Sequence, residues 1–453
     1  MRSETFIRRS SFPVSAGELF AWHRNPGALE RLTPPWEKVT VVEREPLAEG
    51  SRTVFYLKTG PLSLRWAAIN EDVIESRSFT DVQVTGPFSA WRHTHRFIPE
   101  SEGSCILEDA IEYRLRLHRL AHPLVGRIIR RRLERMFEYR HRITGEDIML
   151  RKPERPLAIV ISGSSGLIGS CLLPYLMTRG HRITRLVRGT GRGESVAEWD
   201  PERGTLDHNF SGADAVIHLA GEPIGEGLWT KKKMRAIIRS RAAGTRLLAE
   251  RLASLEQPPA VLVSASAIGY YGDRGDALLA EEDAPGTGFI ADVCREWERA
   301  AQPAADRGIR VVLLRIGVVL HPSGGALRRF LLPGRLGLGG ALGSGDQYIS
   351  WISMEDMVRA IEHVLLRPDI SGPVNVVAPA PARNRQFVRT LARVLRRPAP
   401  FRVPAWAVRL AFGRMGREVL LSGARVSSRK IENYGFRFLH RDLEAALKFL
   451  LGK

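Results

Sequence analysis

The run Leu157-Ala158-Ile159-Val160-Ile161-Ser162-Gly163-Ser164-Ser165-Gly166-Leu167-Ile168-Gly169 constrains the fold of this chain more than any other feature. A short apolar segment breaks into three glycines at Gly-x-x-Gly-x-x-Gly spacing, and an apolar helical pattern follows. That order predicts a strand, a tight turn and a helix N-terminus. Gly163 can take the positive φ that the turn needs, Gly166 has no Cβ to obstruct a pyrophosphate, and Gly169 lets the helix pack close to the strand. Unpaired N–H groups at the helix start then face phosphates. The loop from Gly163 through Ser164, Ser165, Gly166, Leu167 and Ile168 to Gly169 is therefore expected to cradle a dinucleotide.

This motif begins late, at residue 157 of 453, so an independent body is expected before it. Residues 1–150 alternate strand-like runs such as Val39-Thr40-Val41-Val42 and Thr53-Val54-Phe55-Tyr56-Leu57 with turns. Short helices are predicted near 16–23 and 26–32. Leu124, Val125, Ile128, Ile129, Leu133, Met136 and Phe137 repeat with helical period in one long closing helix. A curved antiparallel sheet around that helix leaves an apolar cavity. Residues 151–156, charged and holding Pro153 and Pro156, are expected to be a linker. From 157 to 375 strand and helix patterns alternate, with strands predicted at 157–162, 182–187, 214–219, 260–265, 310–314 and 374–377, which gives a doubly wound parallel α/β sheet. Residues 376–453 form an expected small helical lobe.

The net charge of +19 is large. Attraction to nucleic acid or anionic lipid is one reading. An Arg-rich composition serving an anionic cofactor is preferred, because no nucleic-acid module accompanies the charge. The densest basic cluster, Arg127, Arg130, Arg131, Arg132 and Arg135, falls on the amphipathic helix and is expected to be a solvated face. No apolar run spans a bilayer, and the N-terminus carries no secretory pattern. Cys105, Cys171 and Cys294 are too far apart for a metal motif and are expected to be reduced thiols of a cytoplasmic protein.

Further motifs follow the glycine loop in order: Asp214-Ala215-Val216-Ile217-His218-Leu219-Ala220-Gly221-Glu222, Trp229-Thr230 with Ser240-Arg241, Ser264-Ala265-Ser266-Ala267-Ile268-Gly269-Tyr270-Tyr271-Gly272, Arg315-Ile316-Gly317, Gly339-Gly340 through Gly345 to Trp351-Ile352, and Gly435-Phe436-Arg437-Phe438. With them residues 157–453 resemble the extended short-chain dehydrogenase/reductases, in particular an atypical epimerase-family, cell-division-inhibitor-like subgroup. Phe20-Ala21-Trp22-His23, Leu32-Thr33-Pro34-Pro35-Trp36 and the stretch from Gly86 to His95 make the first half resemble the START-like, polyketide-cyclase and coenzyme-Q-binding helix-grip proteins. The first resemblance implies a Rossmann domain with a nicotinamide cofactor. The second implies an α+β helix-grip domain whose cavity takes an apolar small molecule.

The second strand ends Leu186-Val187-Arg188-Gly189, with no acid until Glu194. An acid there would bind the ribose diol of NAD, whereas Arg188 suits the 2′-phosphate of NADP. Val187, Leu219 and Ala220 are expected along the adenosine side, and the resemblance makes Arg241 a second NADP contact. Typical members carry Ser or Thr after the fourth strand and Tyr-x-x-x-Lys on the next helix. Here the position four before Tyr271 is Ala267, Ser266 would point the other way on a regular strand, and residues 288–298 hold neither Tyr nor Lys. Three readings stay open: Ser266, Tyr270 or Tyr271 supplies a non-standard acid, Cys294 serves instead, or the domain binds NADP and catalyses little. His218 is expected to be structural. His93 and His95 face one side of a strand, but no third ligand accompanies them in sequence, so no metal is expected. An NADP-dependent oxidoreductase or epimerase-like enzyme is one function that emerges. A non-catalytic NADP-binding regulator or ligand carrier is the other, and a nucleic-acid partner is not expected.

Overall fold

The computed structural model describes residues 3–115, 122–150, 153–189, 195–208 and 210–453, without the side chains of 122–124. Residues 151 and 152 of the expected linker, the side chain of Leu124 and the first acid after Arg188, Glu194, lie outside the described residues. The chain forms two compact units, one mainly Met1–Pro153 and the other mainly Glu154–Leu176 with Gly180–Leu451.

In the first unit seven strands form one antiparallel sheet: β1 (Glu4–Phe12), β2 (Lys38–Arg44), β3 (Arg52–Thr59), β4 (Leu62–Ile74), β5 (Ser78–Thr85), β6 (Ala90–Ser101) and β7 (Ser104–Arg114), in the spatial order β1-β7-β6-β5-β4-β3-β2. Register shifts at Val41/Glu43, Ala67/Ala68 and Glu71/Ile74 add local bends, so the sheet curves. Helix α1 (Ala16–Arg24) starts at Ser15, whose hydroxyl accepts from Glu18 N, and is followed by α2 (Ala28–Arg31). The long α3 (His122–Ile148) lays Leu133 and Phe137 on the sheet against Phe6, Ile111 and Tyr113 and buries Ile143, while Ile128 turns outward at 58% exposure. Arg31 and Asp147 join α2 to the end of α3 through two buried hydrogen bonds of 2.9 Å each. Sheet and helix enclose a cavity of about 410 Å³.

The second unit is a doubly wound α/β sheet. Its strands β8 (Ala158–Ser162), β9 (Arg182–Val187), β10 (Val196–Asp200), β11 (Thr205–Leu206), β12 (Ala215–His218) and β13 (Val261–Ala267) are joined by Arg310–Ile316 and Gly372–Val376. The order is β11-β10-β9-β8-β12-β13, then the last two, and all pairs are parallel except β10–β11. Strands β12 and β13 are almost wholly buried, as a sheet covered on both faces requires. Chain order reverses at β8, which lies between β9 and β12. Ligands of such sheets bind beyond the carboxyl ends of the strands at that switch point. Helices α4 (Leu167–Thr178), α5 (Lys231–Ala253) and α6 (Phe289–Arg299) belong to the same unit. Among the described residues no helix is long and apolar enough to cross a membrane.

Candidate functional site

The glycine loop lies at the switch point, between the end of β8 and the start of α4. Gly163 has φ 76°, and a Cβ on it would stand 2.6 Å from the backbone of Leu219 and of Ala220, just past β12. Leu219 N donates to Ser162 O at 3.1 Å, tying the two strand ends together. A Cβ on Gly169 would lie 2.3 Å from Gly163 O, so the close approach made there is helix against loop. Gly166 differs: its added Cβ would meet only Gly163 O, at 3.3 Å, among its neighbours within 4 Å. Its open side is the space a pyrophosphate takes in this fold. The residues present therefore fit a dinucleotide. Ser164 is buried, Ser165 and Gly166 are exposed, and Leu167 and Ile168 are half-buried.

At the end of β9, Val187 is half-buried and Arg188 is exposed. Arg241 on α5 is placed differently from Arg188. It is 7% exposed, its Nη1 donates to Glu222 O at 2.9 Å, its Nε is buried without a partner, and its guanidinium lies 4.9 Å from the Trp297 ring. Burial lowers its pKa to about 10. It supports the 221–222 backbone from beneath. His218 is fully buried, with Nδ1 2.6 Å from Ser162 Oγ. Burial and then the charge of Arg241 push its pKa down to about 3, so the ring is neutral.

Beyond β13 the structure gathers the expected catalytic residues around a pair that sequence reasoning did not single out, Glu298 on α6 and Arg315. Arg315 grips Glu298 through Nε at 2.9 Å and Nη2 at 3.0 Å. Ser266 donates to Glu298 Oε1 at 2.7 Å. Tyr271 accepts from Arg315 Nη1 at 3.0 Å and donates to Asn375 Oδ1 at 2.7 Å. Ser266 and Tyr271 are buried, and burial raises the Tyr271 phenol to about 12. Tyr270 is half-buried, with the Arg315 guanidinium 3.5 Å from its ring centre. Cys294 is buried, and burial raises its thiol to about 12, as in an inert core cysteine. The Arg315-Ile316-Gly317 motif was visible in sequence, but its ion partner 17 positions earlier was not.

The cavity of the first unit holds a second polar cluster. Here the expectation that His93 and His95 have no third ligand is corrected. Strand register sets Asp81 opposite His93 and Asp109 opposite His95, and sequence spacing carries no register information. Asp81, His93 and His95 each offer a ligand atom within 4.8 Å of the others. Asp109 receives His93 Nε2 at 2.9 Å and His141 Nε2 at 2.7 Å. Arg132, expected on a solvated face, also lines this cavity and holds Glu37 through Nε at 3.0 Å.

The fold and the loop define a dinucleotide-binding protein of the Rossmann class. The chain belongs to the NAD dependent epimerase/dehydratase family, whose model matches residues 159–377. Residues 12–138 match the polyketide cyclase / dehydrase and lipid transport family, and 403–450 match a domain of unknown function, DUF1731. An epimerase family protein of Mycobacterium bovis is 42% identical over 292 residues, which is 64% of this chain and 96% of the relative. Human epimerase family protein SDR39U1 is 36% identical over 298 residues, 64% and 99% of the two chains. A nucleoside-diphosphate sugar epimerase of Corynebacterium glutamicum matches at a TM-score of 0.80 and 32% identity over 99% of this chain and 90% of its own. The human protein, solved with NADPH, matches at 0.61 and 33% over 65% and 99%.

Proposed function

We propose that this protein is an NADP(H)-dependent oxidoreductase or epimerase-like enzyme fused to a domain that binds an apolar small molecule. The observation that carries the cofactor choice is Arg188, exposed at the tip of β9, one strand from the glycine loop. A guanidinium there pairs with a 2′-phosphate in two-pronged, charge-assisted fashion. The NADPH bound to the human relative supports the same choice. When bound, the cofactor supplies or accepts a hydride. The chain's part is to hold phosphates on the N–H groups of 163–169, with Val187, Leu219 and Ala220 beside the adenosine and Arg241 supporting the 221–222 backbone. Tyr270 is the proton donor in this reading. Ser266 and Tyr271 hold its surroundings through Glu298 and Arg315. In the first unit, Phe55, Trp66, Phe88 and Trp91 give the cavity an apolar wall.

Calorimetry tests the cofactor choice. NADPH should bind more tightly than NADH, and Arg188→Ala should remove about 1.5–3 kcal/mol of that preference, as for a hydrogen bond to a charged group. Equal affinity for the two cofactors in the parent protein overturns it. A second reading, NADP binding without turnover, draws on the closed network that engages the Ser266 and Tyr271 hydroxyls. Deuterium transfer from 4-deuterated NADPH to a carbonyl compound distinguishes the two readings.

A further inference from the structure

We propose that Asp81, His93 and His95 form a binding site for one divalent transition-metal ion, of the zinc or ferrous class, in the wall of the first unit's cavity. The spacing fits. His95 Nε2 lies 3.3 Å and His93 Nδ1 3.8 Å from the same oxygen, Asp81 Oδ2. Ligand bonds of about 2.0–2.1 Å give a tetrahedral edge of about 3.3 Å, so an ion fits between these atoms with small adjustments. Two imidazoles and one carboxylate are a donor set that suits zinc or non-haem iron and leaves coordination positions open.

The outer groups are arranged as a metal requires. A ligating histidine usually gives its other ring nitrogen to a carboxylate, which fixes the tautomer and the ring. One buried carboxylate, Asp109, serves both rings here. Its Oδ1 is 2.9 Å from His93 Nε2 and 2.7 Å from His95 Nδ1, the latter off the hydrogen-bond direction. Its Oδ2 meets His141 Nε2 at 2.7 Å, and His141 Nδ1 reaches Ser10 Oγ at 2.8 Å. Asp109 thus turns His93 Nδ1 and His95 Nε2 toward Asp81. Both histidines are buried, whereas the Asp81 side chain is 35% exposed and lines the cavity, so the open positions face that space. Arg140 faces Asp109, Asp81 and Glu37, and Arg132 in the same cavity pairs with Glu37, so two guanidiniums stand against three carboxylates and the cluster can accept a cation. A ligand there would carry an oxygen donor on an apolar body, because the opposite wall is aromatic.

The full-length protein, stripped with a chelator and dialysed against Zn²⁺ or Co²⁺, should take up one ion per chain. The zinc X-ray absorption spectrum should show two imidazoles. Asp81→Asn and His93→Gln should each weaken uptake at least tenfold, and Asp109→Asn about 10- to 100-fold, as outer-shell changes do. Circular dichroism and thermal unfolding that match the parent protein report that each variant is folded. Three results overturn the site: no stoichiometric ion in the parent protein, sulfur ligation in its spectrum, or unchanged affinity in folded Asp81→Asn and His93→Gln.

Discussion

Single residues at the switch point follow from what each local environment permits. Gly163 combines φ 76° with backbone neighbours at 2.6 Å, so no other residue fits, and the motif's spacing alone pointed to it. His218 was legible only as a polar residue in a buried strand. Its partner, Ser162, lies on β8, and the contact depends on how β8 and β12 align. The burial of His218 has a measurable consequence. The folded value is about 3, below the ordinary imidazole value of 6.5. Between those values the unfolded chain binds a proton that the folded chain refuses, so stability falls as pH falls through that window. His218→Asn removes this proton, and chemical denaturation between pH 6.5 and about 3 should show a pH slope shallower by up to one proton. An unchanged slope would mean that His218 is already charged in the native state.

Whole elements were read with mixed success, and the reason is geometric. Strands at 158–162, 182–187, 215–218, 261–267, 310–316 and 372–376 fall where apolar runs predicted them. β10 and β11 carry too short a pattern to announce themselves, yet they extend the sheet to eight strands. On β13 the alternation holds to Ala267, which is why Ser266 points away from Ala267 and into Glu298. What no local pattern shows is that α6 and the Arg310–Ile316 strand close a buried ion pair over the tyrosines. This network separates the two tyrosines experimentally. Tyr271→Phe strips a partner from Arg315 and from Asn375 and should cost about 1–3 kcal/mol, the penalty for a buried polar group left unpaired. Tyr270→Phe should stay within about 0.5 kcal/mol, as half-exposed changes usually do, while reducing turnover. Urea denaturation reads both, and the reverse order would relocate the network's centre.

At the scale of the whole molecule, two units with unrelated architectures share one chain. In sequence they differ in pattern: strand-like runs alternate with turns before residue 150, and strand and helix patterns alternate after 157. The polar cluster in the first unit and the ion pair in the second stayed out of reach, because each depends on how neighbouring elements align, which sequence spacing does not show. The account rests on the second unit carrying its nicotinamide cofactor on the glycine loop, and Gly166 is the position that tests this alone. Its φ lies outside the left-handed region, and an added Cβ meets a single carbonyl at 3.3 Å, so Gly166→Val should fold. The new side chain occupies the face where the phosphates must come. Calorimetric titration of NADPH into Gly166→Val, with circular dichroism matching the parent protein, should show binding lost. Parent-like affinity in the folded variant would place the phosphates elsewhere and contradict the account.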